Sequence, residues 1–397
     1  MTPKPFPIAQ RVSRMRESPT LAVMMEAKRL KSQGVDVIDF GPGEPDFPTP
    51  EPICRAAAAA ISAGHTHYTD PAGIIELRQA ISAWHAEHHG TDYDASEVLV
   101  GCGAKNLLFL LCLALFESGD RVALFSPYWV SFPEQIRLSE AEPVIIQTDP
   151  ETGFVPTAAL LETACDRGAR AVILNSPCNP TGATIPVEEM DRIVSVIEKR
   201  NLLLISDECY EAFVYTEEEG GSFARFHRRI RDRLIIVNSF SKKFAMTGWR
   251  VGYLLGPEEI LRAVRKLQSH DATHTSSISQ WAAVAAIQEA QGSVRAMREE
   301  FRQRRDLLLK AFKKIPGISC SIPTGAFYAF PNLEGLYRGA GVSSTAELSA
   351  KILREARVAT VPGEAFGRGG HVRISYALSR DRLLTGLDRL RQFAESV

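Results

Sequence analysis

The segment Asn238-Ser239-Phe240-Ser241-Lys242-Lys243-Phe244-Ala245-Met246-Thr247-Gly248-Trp249-Arg250 places lysines, hydroxyls and an arginine directly after the apolar run Leu234-Ile235-Ile236-Val237. A lysine at a buried strand end is costly to desolvate unless it has a partner or a chemical use. Desolvation also lowers its pKa toward the range in which the free amine attacks carbonyls. Taken alone, the segment also fits a strand followed by a solvated loop with two surface lysines. Its companions elsewhere in the chain separate the two.

Three other segments combine small or rigid residues with useful side chains. Gly101-Cys102-Gly103-Ala104-Lys105-Asn106 follows an apolar run and opens into a helix, a turn that lets backbone N–H groups and the positive helix end approach an anion such as phosphate. A tight strand-to-helix turn without a ligand would have the same sequence. In Ser176-Pro177-Cys178-Asn179-Pro180-Thr181-Gly182, two prolines hold Asn179 as a rigid amide donor, or simply make a turn. Asp207-Glu208-Cys209-Tyr210 sets an acid at a strand end and a phenol three residues on, suited to a protonated ring nitrogen and an adjacent oxygen.

The elements that must position these residues alternate. Strands are predicted at 98–100, 121–125, 171–175, 202–207 and 234–237, with helices over 104–116 and 187–200 between them. Short β-branched and Leu-rich runs separated by helices point to an α/β fold with a mostly parallel sheet covered on both faces. Ligands of such sheets bind outside the carboxyl ends of the strands, where all four segments fall. The strand at 251–255 follows Arg250 so closely that an antiparallel course is expected. The last third changes to α+β character: a charged helix over 294–314, strands at 327–330 and 371–375, and a final helix. With a helix over 21–33 and the irregular Gly41-Pro42-Gly43-Glu44-Pro45-Asp46 loop, the expected division is a large domain at 46–285 and a smaller one from 1–45 and 286–397.

At 397 residues the chain exceeds what one core usually serves, and 45% hydrophobic with 23% charged residues is ordinary for a globular protein. Lys plus Arg number 46 against 47 Asp plus Glu, a formal net charge of -1, which argues against nucleic-acid binding. Any cationic site must be local. The seven cysteines are scattered, odd in number and without CxxC spacing, as expected of free thiols in a reducing compartment. With no signal-like or membrane-length apolar run, a cytoplasmic protein without membrane partners is expected.

In order and spacing, the small-residue turn, Asn179-Pro180-Thr181-Gly182, Asp207 with Tyr210, Ser239-Phe240-Ser241-Lys242 with Arg250, and Arg373-Ile374-Ser375-Tyr376 make the chain resemble fold type I pyridoxal-phosphate enzymes. Within them it is most similar to the aspartate aminotransferase branch of the class I aminotransferases, from about residue 13 to the C-terminus. The resemblance implies a large domain with a sheet of the seven-stranded type, a smaller α+β domain, and pyridoxal 5'-phosphate as cofactor. It implies that Lys242 holds the cofactor aldehyde as a Schiff base and then acts as base. By the same resemblance Asp207 keeps the pyridine nitrogen protonated, so the ring accepts electrons, and Tyr210 and Asn179 meet its phenolic oxygen. The phosphate would rest on Gly103, Ala104, Lys105, Ser239, Ser241 and Arg250, and Trp129 would stack on the ring. Tyr68 corresponds to the tyrosine that reaches the neighbouring subunit's phosphate, which implies a homodimer with shared active sites.

Arg373 corresponds to the arginine that grips the substrate α-carboxylate, and Gly43 to the backbone that closes over the substrate. Lys105, Ser18 and Thr20 stand where an acidic substrate's distal carboxylate is bound. The resemblance therefore implies transamination between an amino acid, aspartate or glutamate first, and 2-oxoglutarate or oxaloacetate by a ping-pong route. Prephenate or aromatic amino acids are the alternative substrates, and a lyase or decarboxylase on the same cofactor is the alternative reaction. Cys178, Ala104 and Lys243 depart from the usual family residues, and Lys243 reads as a bystander. The polar stretch His270-Asp271-Ala272-Thr273-His274-Thr275 reads as a solvated loop that could alter specificity. His85, His88 and His89 read as a surface helix rather than a zinc site, so no metal is expected. Gly363-Glu364-Ala365-Phe366-Gly367 lacks the context of a dinucleotide fingerprint and reads as a hinge-like loop.

Overall fold

The computed structural model describes residues 6, 8–13, 15, 19–216 and 221–397, without the side chains of 19–24. Seven strands form the large sheet: β1 (Val98–Gly101), β2 (Arg121–Ser126), β3 (Glu142–Gln147), β4 (Ala171–Asn175), β5 (Leu203–Asp207), β6 (Leu234–Ser239) and β7 (Gly252–Leu255). Their order across the sheet is β1-β7-β6-β5-β4-β2-β3. β2 to β6 pair in parallel, whereas β7 runs antiparallel to both neighbours, as the short gap after Arg250 predicts. β3 is a strand that the sequence pattern does not reveal. It lies at the sheet edge, and Pro143 and Gln147 confine its apolar run to Val144, Ile145 and Ile146.

The pattern inside the strands explains why both faces are covered. Val98, Val100, Ala123, Phe125, Leu204, Leu234 and Ile236 feed one core, packed with residues of helices Glu51–Ser62, Ile75–His89, Val187–Arg200 and Ser277–Glu289. Their sequence neighbours Leu99, Val122, Leu124, Ile205, Ile235 and Val237 feed a second core on the opposite face, with Ala104–Leu115, Ser131–Leu138 and Glu258–Asp271. Alternation of side chains along a strand makes this two-sided burial possible. Helix Val187–Arg200 carries Glu188 and Glu189 in its first turn and Lys199 and Arg200 in its last, and closes on left-handed Asn201, each favourable to the helix dipole or cap.

A third core joins the two ends of the chain. Ile38 and Phe40 pack with Met297, Phe301, Leu308, Val372, Ile374, Leu383 and Leu387. The strand Ile38–Asp39 pairs in parallel with Val358–Ala359, and Tyr328–Ala329, Val361–Pro362 and Val372–Ser375 make an antiparallel sheet. Buried Arg304 of helix Gln291–Phe312 fastens the early loop to this unit, with Nη1 2.7 Å from Asp46 Oδ1 and Nε 2.8 Å from Glu300 Oε1.

Register brings the chemistry to one end of the sheet. Asn175 is opposite Asp207, Asp207 opposite Val237, and Ser239 opposite Gly252, which in turn is opposite Gly101. The loops after β1, β4, β5 and β6 therefore open side by side.

Candidate active site

A cavity of about 1140 Å³ opens at these strand ends. Its lining includes Gly43, Lys105, Trp129, Asn179, Asp207, Tyr210, Ser239, Ser241, Lys242, Arg250 and Arg373. Residues distant in sequence and predicted together thus meet in one place. Tyr68 does not line this cavity and is 88% exposed, its ring set edge-on to His274. Ser18 and the side chain of Thr20 lie outside the described residues.

Lys242 is the third residue of the one-turn helix Phe240–Lys243, and its Nζ donates to Gly43 O at 2.6 Å. Burial pulls its ammonium down to about 8. Asp207, at the end of β5, is 5% exposed; burial pushes its carboxyl up to about 6, against the opposing effect of Cys209, whose backbone N donates to Oδ1 at 3.1 Å. Both shifts mark groups that the fold holds out of water without a matched partner. For stability their signs follow directly. The unfolded chain binds the lysine proton more tightly, so folding is penalised below pH 8 and the penalty fades as pH rises from about 8 toward the ordinary lysine value. The aspartate penalty appears as pH rises from the ordinary carboxyl value through about 6 and persists above it.

An anion cradle adjoins them. Helix Ala104–Leu115 points its first turn at the cavity, and Gly103 before it has φ +84°, a left-handed conformation suited to glycine. A Cβ on Gly103 would stand 2.7 Å from Arg250 Nη2. Ser239 Oγ donates to Ser241 Oγ at 2.9 Å and accepts from Ser241 N at 3.1 Å, so the hydroxyls are fixed as a pair. Arg250 donates to Thr247 O and Cys102 O.

On the other wall, Arg373 is 6% exposed and spreads over the Tyr328 ring at 4.7 Å. Its Nη1 donates to Asn179 Oδ1 at 3.0 Å, its Nη2 to Gly41 O at 2.6 Å, and its buried Nε has no partner among the described residues. Lys105 Nζ sits 4.9 Å from the Trp129 ring centroid; desolvation first, then the charge of Arg250, lowers its ammonium. The partners of Lys105, Lys242, Arg250 and Arg373 are carbonyls, an amide and an indole face rather than carboxylates. A chain of nearly balanced charge thus sets four cations without carboxylate hydrogen-bond partners among the described residues around one cavity, an arrangement suited to anionic ligands.

Comparison with known proteins gives this geometry a family. The family described as aminotransferase class I and II matches residues 35–390. The chain belongs to that family. It is 41% identical to an aspartate aminotransferase of Geobacillus stearothermophilus, over 98% of this chain and 99% of the relative. It is 40% identical to a probable aspartate/prephenate aminotransferase of Aquifex aeolicus, over 98% and 99%. An aspartate aminotransferase structure from Thermus thermophilus with maleate superposes with a TM-score of 0.92 at 38% identity, covering 99% of this chain and 100% of that one. One from Rhizobium meliloti gives 0.95 at 36% identity, again covering 99% and 100%. The aminotransferase uses pyridoxal phosphate. The cavity suits that group: it offers an amine with a lowered pKa, a buried carboxyl short of a cation, and a cradle that a single added Cβ at position 103 would obstruct.

Several residues escape the sequence pattern. Tyr328 OH lies 2.9 Å from Tyr210 OH, and a tyrosine in an otherwise apolar strand is its one signal. Asn175 accepts from Asn179 N at 2.8 Å and donates to Asp207 O at 3.1 Å, tying two functional loops together. Two expectations need correction. His85 is fully buried, with Nε2 3.0 Å from Tyr253 OH, because its helix turns that face to the core; no metal-binding cluster occurs among the described residues. The 270–275 stretch is solvated only in its first half: buried Thr275 donates to Arg250 O at 2.8 Å, and His274 Nε2 accepts from Thr69 N at 3.3 Å. Lys243, read as a bystander, does not line the cavity and is buried in an ion pair with Glu211.

The glycine of β7 gives a direct test of the cradle. A Cβ on Gly252 would stand 2.6 Å from Ala104 N and 2.9 Å from Asn238 O, both backbone atoms. Gly252→Ala is expected to lose about 1–3 kcal/mol of stability through overpacking. It should also raise the cofactor dissociation constant at least about tenfold, since the helix end must move by a sizeable part of an ångström. Denaturant unfolding and absorbance titration with pyridoxal phosphate measure the two effects.

Proposed function

We propose that the aminotransferase exchanges the amino group of aspartate, or glutamate, with 2-oxoglutarate or oxaloacetate by a ping-pong route. The observation that carries this is the meeting of Lys242, Asp207, the anion cradle and the unpaired Arg373 in one cavity. Bound there, pyridoxal phosphate supplies an aldehyde for the lysine and a ring that accepts the electrons left on a deprotonated α-carbon. Lys242 is the attachment point and the base: its lowered pKa makes the free amine available near neutral pH, and Nζ takes the Cα proton and redelivers it. Asp207 holds a proton at the pyridine nitrogen, a cation that offsets the cost of its own burial. Tyr210 and Asn179 serve the phenolic oxygen. Gly103, Ala104, Ser239, Ser241 and Arg250 take the phosphate, and Trp129 covers the ring face.

Arg373 binds the substrate α-carboxylate through its fork, with Tyr328 beneath it and the Gly41–Gly43 backbone beside it. Lys105, held over Trp129 with no carboxylate partner among the described residues, takes the distal carboxylate of an acidic substrate, joined by Ser18 and Thr20. Relatives named aspartate/prephenate aminotransferases make prephenate the second acceptor to examine, because it too carries a second carboxylate. Exposed Tyr68 serves the partner's phosphate in a homodimer. The pairing of Ile38–Asp39 with Val358–Ala359 supports a moving unit of 1–45 with 286–397 against 46–285. The free cysteines support a cytoplasmic setting, and no helix among the described residues is long and apolar enough to cross a membrane.

Single-turnover half-reactions test the assignment: aspartate and glutamate should convert the pyridoxal form, and prephenate the pyridoxamine form. Failure with both acidic amino acids would refute it. Lys105→Ala should lower the efficiency with aspartate about 10- to 150-fold, the loss of one charge-assisted contact, while alanine and phenylalanine change less than about threefold. Equal losses for all three would place Lys105 on the phosphate instead. Arg373→Lys should reduce every substrate's efficiency by a comparable factor, since the fork is lost whatever the side chain.

A further inference from the structure

Lys243 follows Lys242 in sequence but does not line the cavity. Its Nζ lies 3.1 Å from Glu211 Oε1, with the two side chains 10% and 11% exposed, and 3.6 Å from the centroid of the Trp84 ring. Glu211 in turn directly follows Tyr210, which does line the cavity. One buried ion pair therefore joins the immediate neighbours of two groups that work on the other side of the backbone.

We propose that the Lys243–Glu211 pair is a positioning device for transamination, fixing Lys242 Nζ relative to Tyr210 and Asp207. The inference rests on Lys242 being the attachment lysine. The helix bearing it is a single turn, Phe240–Lys243, and such a turn has almost no stability of its own, so its orientation depends on tertiary ties. Phe244 N to Phe240 O at 3.2 Å and Met246 N to Ser241 O at 3.0 Å close the turn upon itself without setting where it points. The pair supplies a tie across the sheet end to the 207–213 turn, which is shaped by Glu211 N to Glu208 O and Phe213 N to Tyr210 O, each 2.9 Å. Buried ion pairs contribute little net stability compared with apolar residues of similar volume, but they are specific about geometry, because either partner left alone is a buried charge.

The surroundings hold Glu211 to this partner. His89 Nε2 lies 3.9 Å from Glu211 Oε2, beyond hydrogen-bond distance, and burial lowers its pKa. His85 is committed to Tyr253, and Glu208 accepts from Ser206 Oγ at 2.8 Å and Phe223 N at 3.0 Å. None of these replaces the lysine.

The test uses the holoenzyme with Lys243→Met, Glu211→Gln and the double variant Lys243→Met/Glu211→Leu. Three quantities are read: thermal midpoint, the pH midpoint of the visible absorbance of the lysine-linked cofactor, and kcat against KM for aspartate. Each single variant should shift the absorbance midpoint by at least about half a pH unit and lower kcat about tenfold or more, with KM within about threefold, as misplacement of a reacting group does. The double variant, with no buried charge left over and no change in net charge, should recover the thermal midpoint yet keep the shifted absorbance midpoint and low kcat. A double variant with wild-type absorbance midpoint and kcat would overturn the proposal, leaving the pair a structural feature only. Single variants that leave both quantities unmoved would do the same. Borohydride reduction and peptide mapping of Lys243→Met separate this from the reading beneath it: label on Lys242 upholds the attachment point, whereas loss of label would show that Lys243 carries the cofactor and would overturn both.

Discussion

Two groups that water would ordinarily hold charged, the Lys242 amine and the Asp207 carboxyl, are withdrawn into one cavity, and burial moves their pKa values toward each other, to about 8 and about 6. Neither forms an ion pair among the described residues, and desolvation is the larger effect on both, so the folded protein carries it as a cost. The rest of the cavity is arranged around the ligand that removes it. In the proposed reaction, a protonated pyridine nitrogen would give Asp207 its cation, and covalent attachment would remove the need for Lys242 to be a solvated ammonium. Stability is surrendered at the site where the chemistry is done, as is common where activity needs a destabilised group.

The sheet makes that withdrawal possible. Strands β4 and β5 end opposite each other, at Asn175 and Asp207, and β6 runs on past Val237 to Ser239 at the same end of the sheet, while β7 runs back beneath the helix end because position 252 has no Cβ. The cations around the cavity are satisfied by carbonyls, an amide and an aromatic face, enough to hold them in place and too little to neutralise them. A second polar layer behind Lys242 holds its one-turn helix through a buried pair of charges.

Much of this was legible in the sequence because it is local. Apolar runs such as Ala171–Asn175 and Leu234–Ser239 announce buried parallel strands, and the polar residues that end them announce a site. Proline- and glycine-bounded loops such as 176–182 hold their residues in place by local chemistry. What stayed hidden depends on partners far away in the chain. Nothing near Lys243 reveals that Glu211 and Trp84 enclose it, and nothing near Thr275 reveals that it holds the Arg250 carbonyl. His85 lies on a helix whose inward face is set by β7, not by its own polar neighbours. The edge strand β3 sets Val144, Ile145 and Ile146 in a row between polar and proline neighbours, so neither a long apolar run nor a clear alternation marks it.

The most direct measurement is the unfolding free energy of the cofactor-free protein as a function of pH, for the wild type and for Lys242→Met, which keeps the apolar stem and removes the amine. The variant should be more stable at pH 7, where the full penalty of burying the ammonium applies. The difference should shrink as pH rises above about 8 and vanish once the lysine is neutral in the unfolded chain as well. A variant less stable than wild type at pH 7, or a difference that does not change with pH, would contradict the claim that the cavity is built around a desolvated amine.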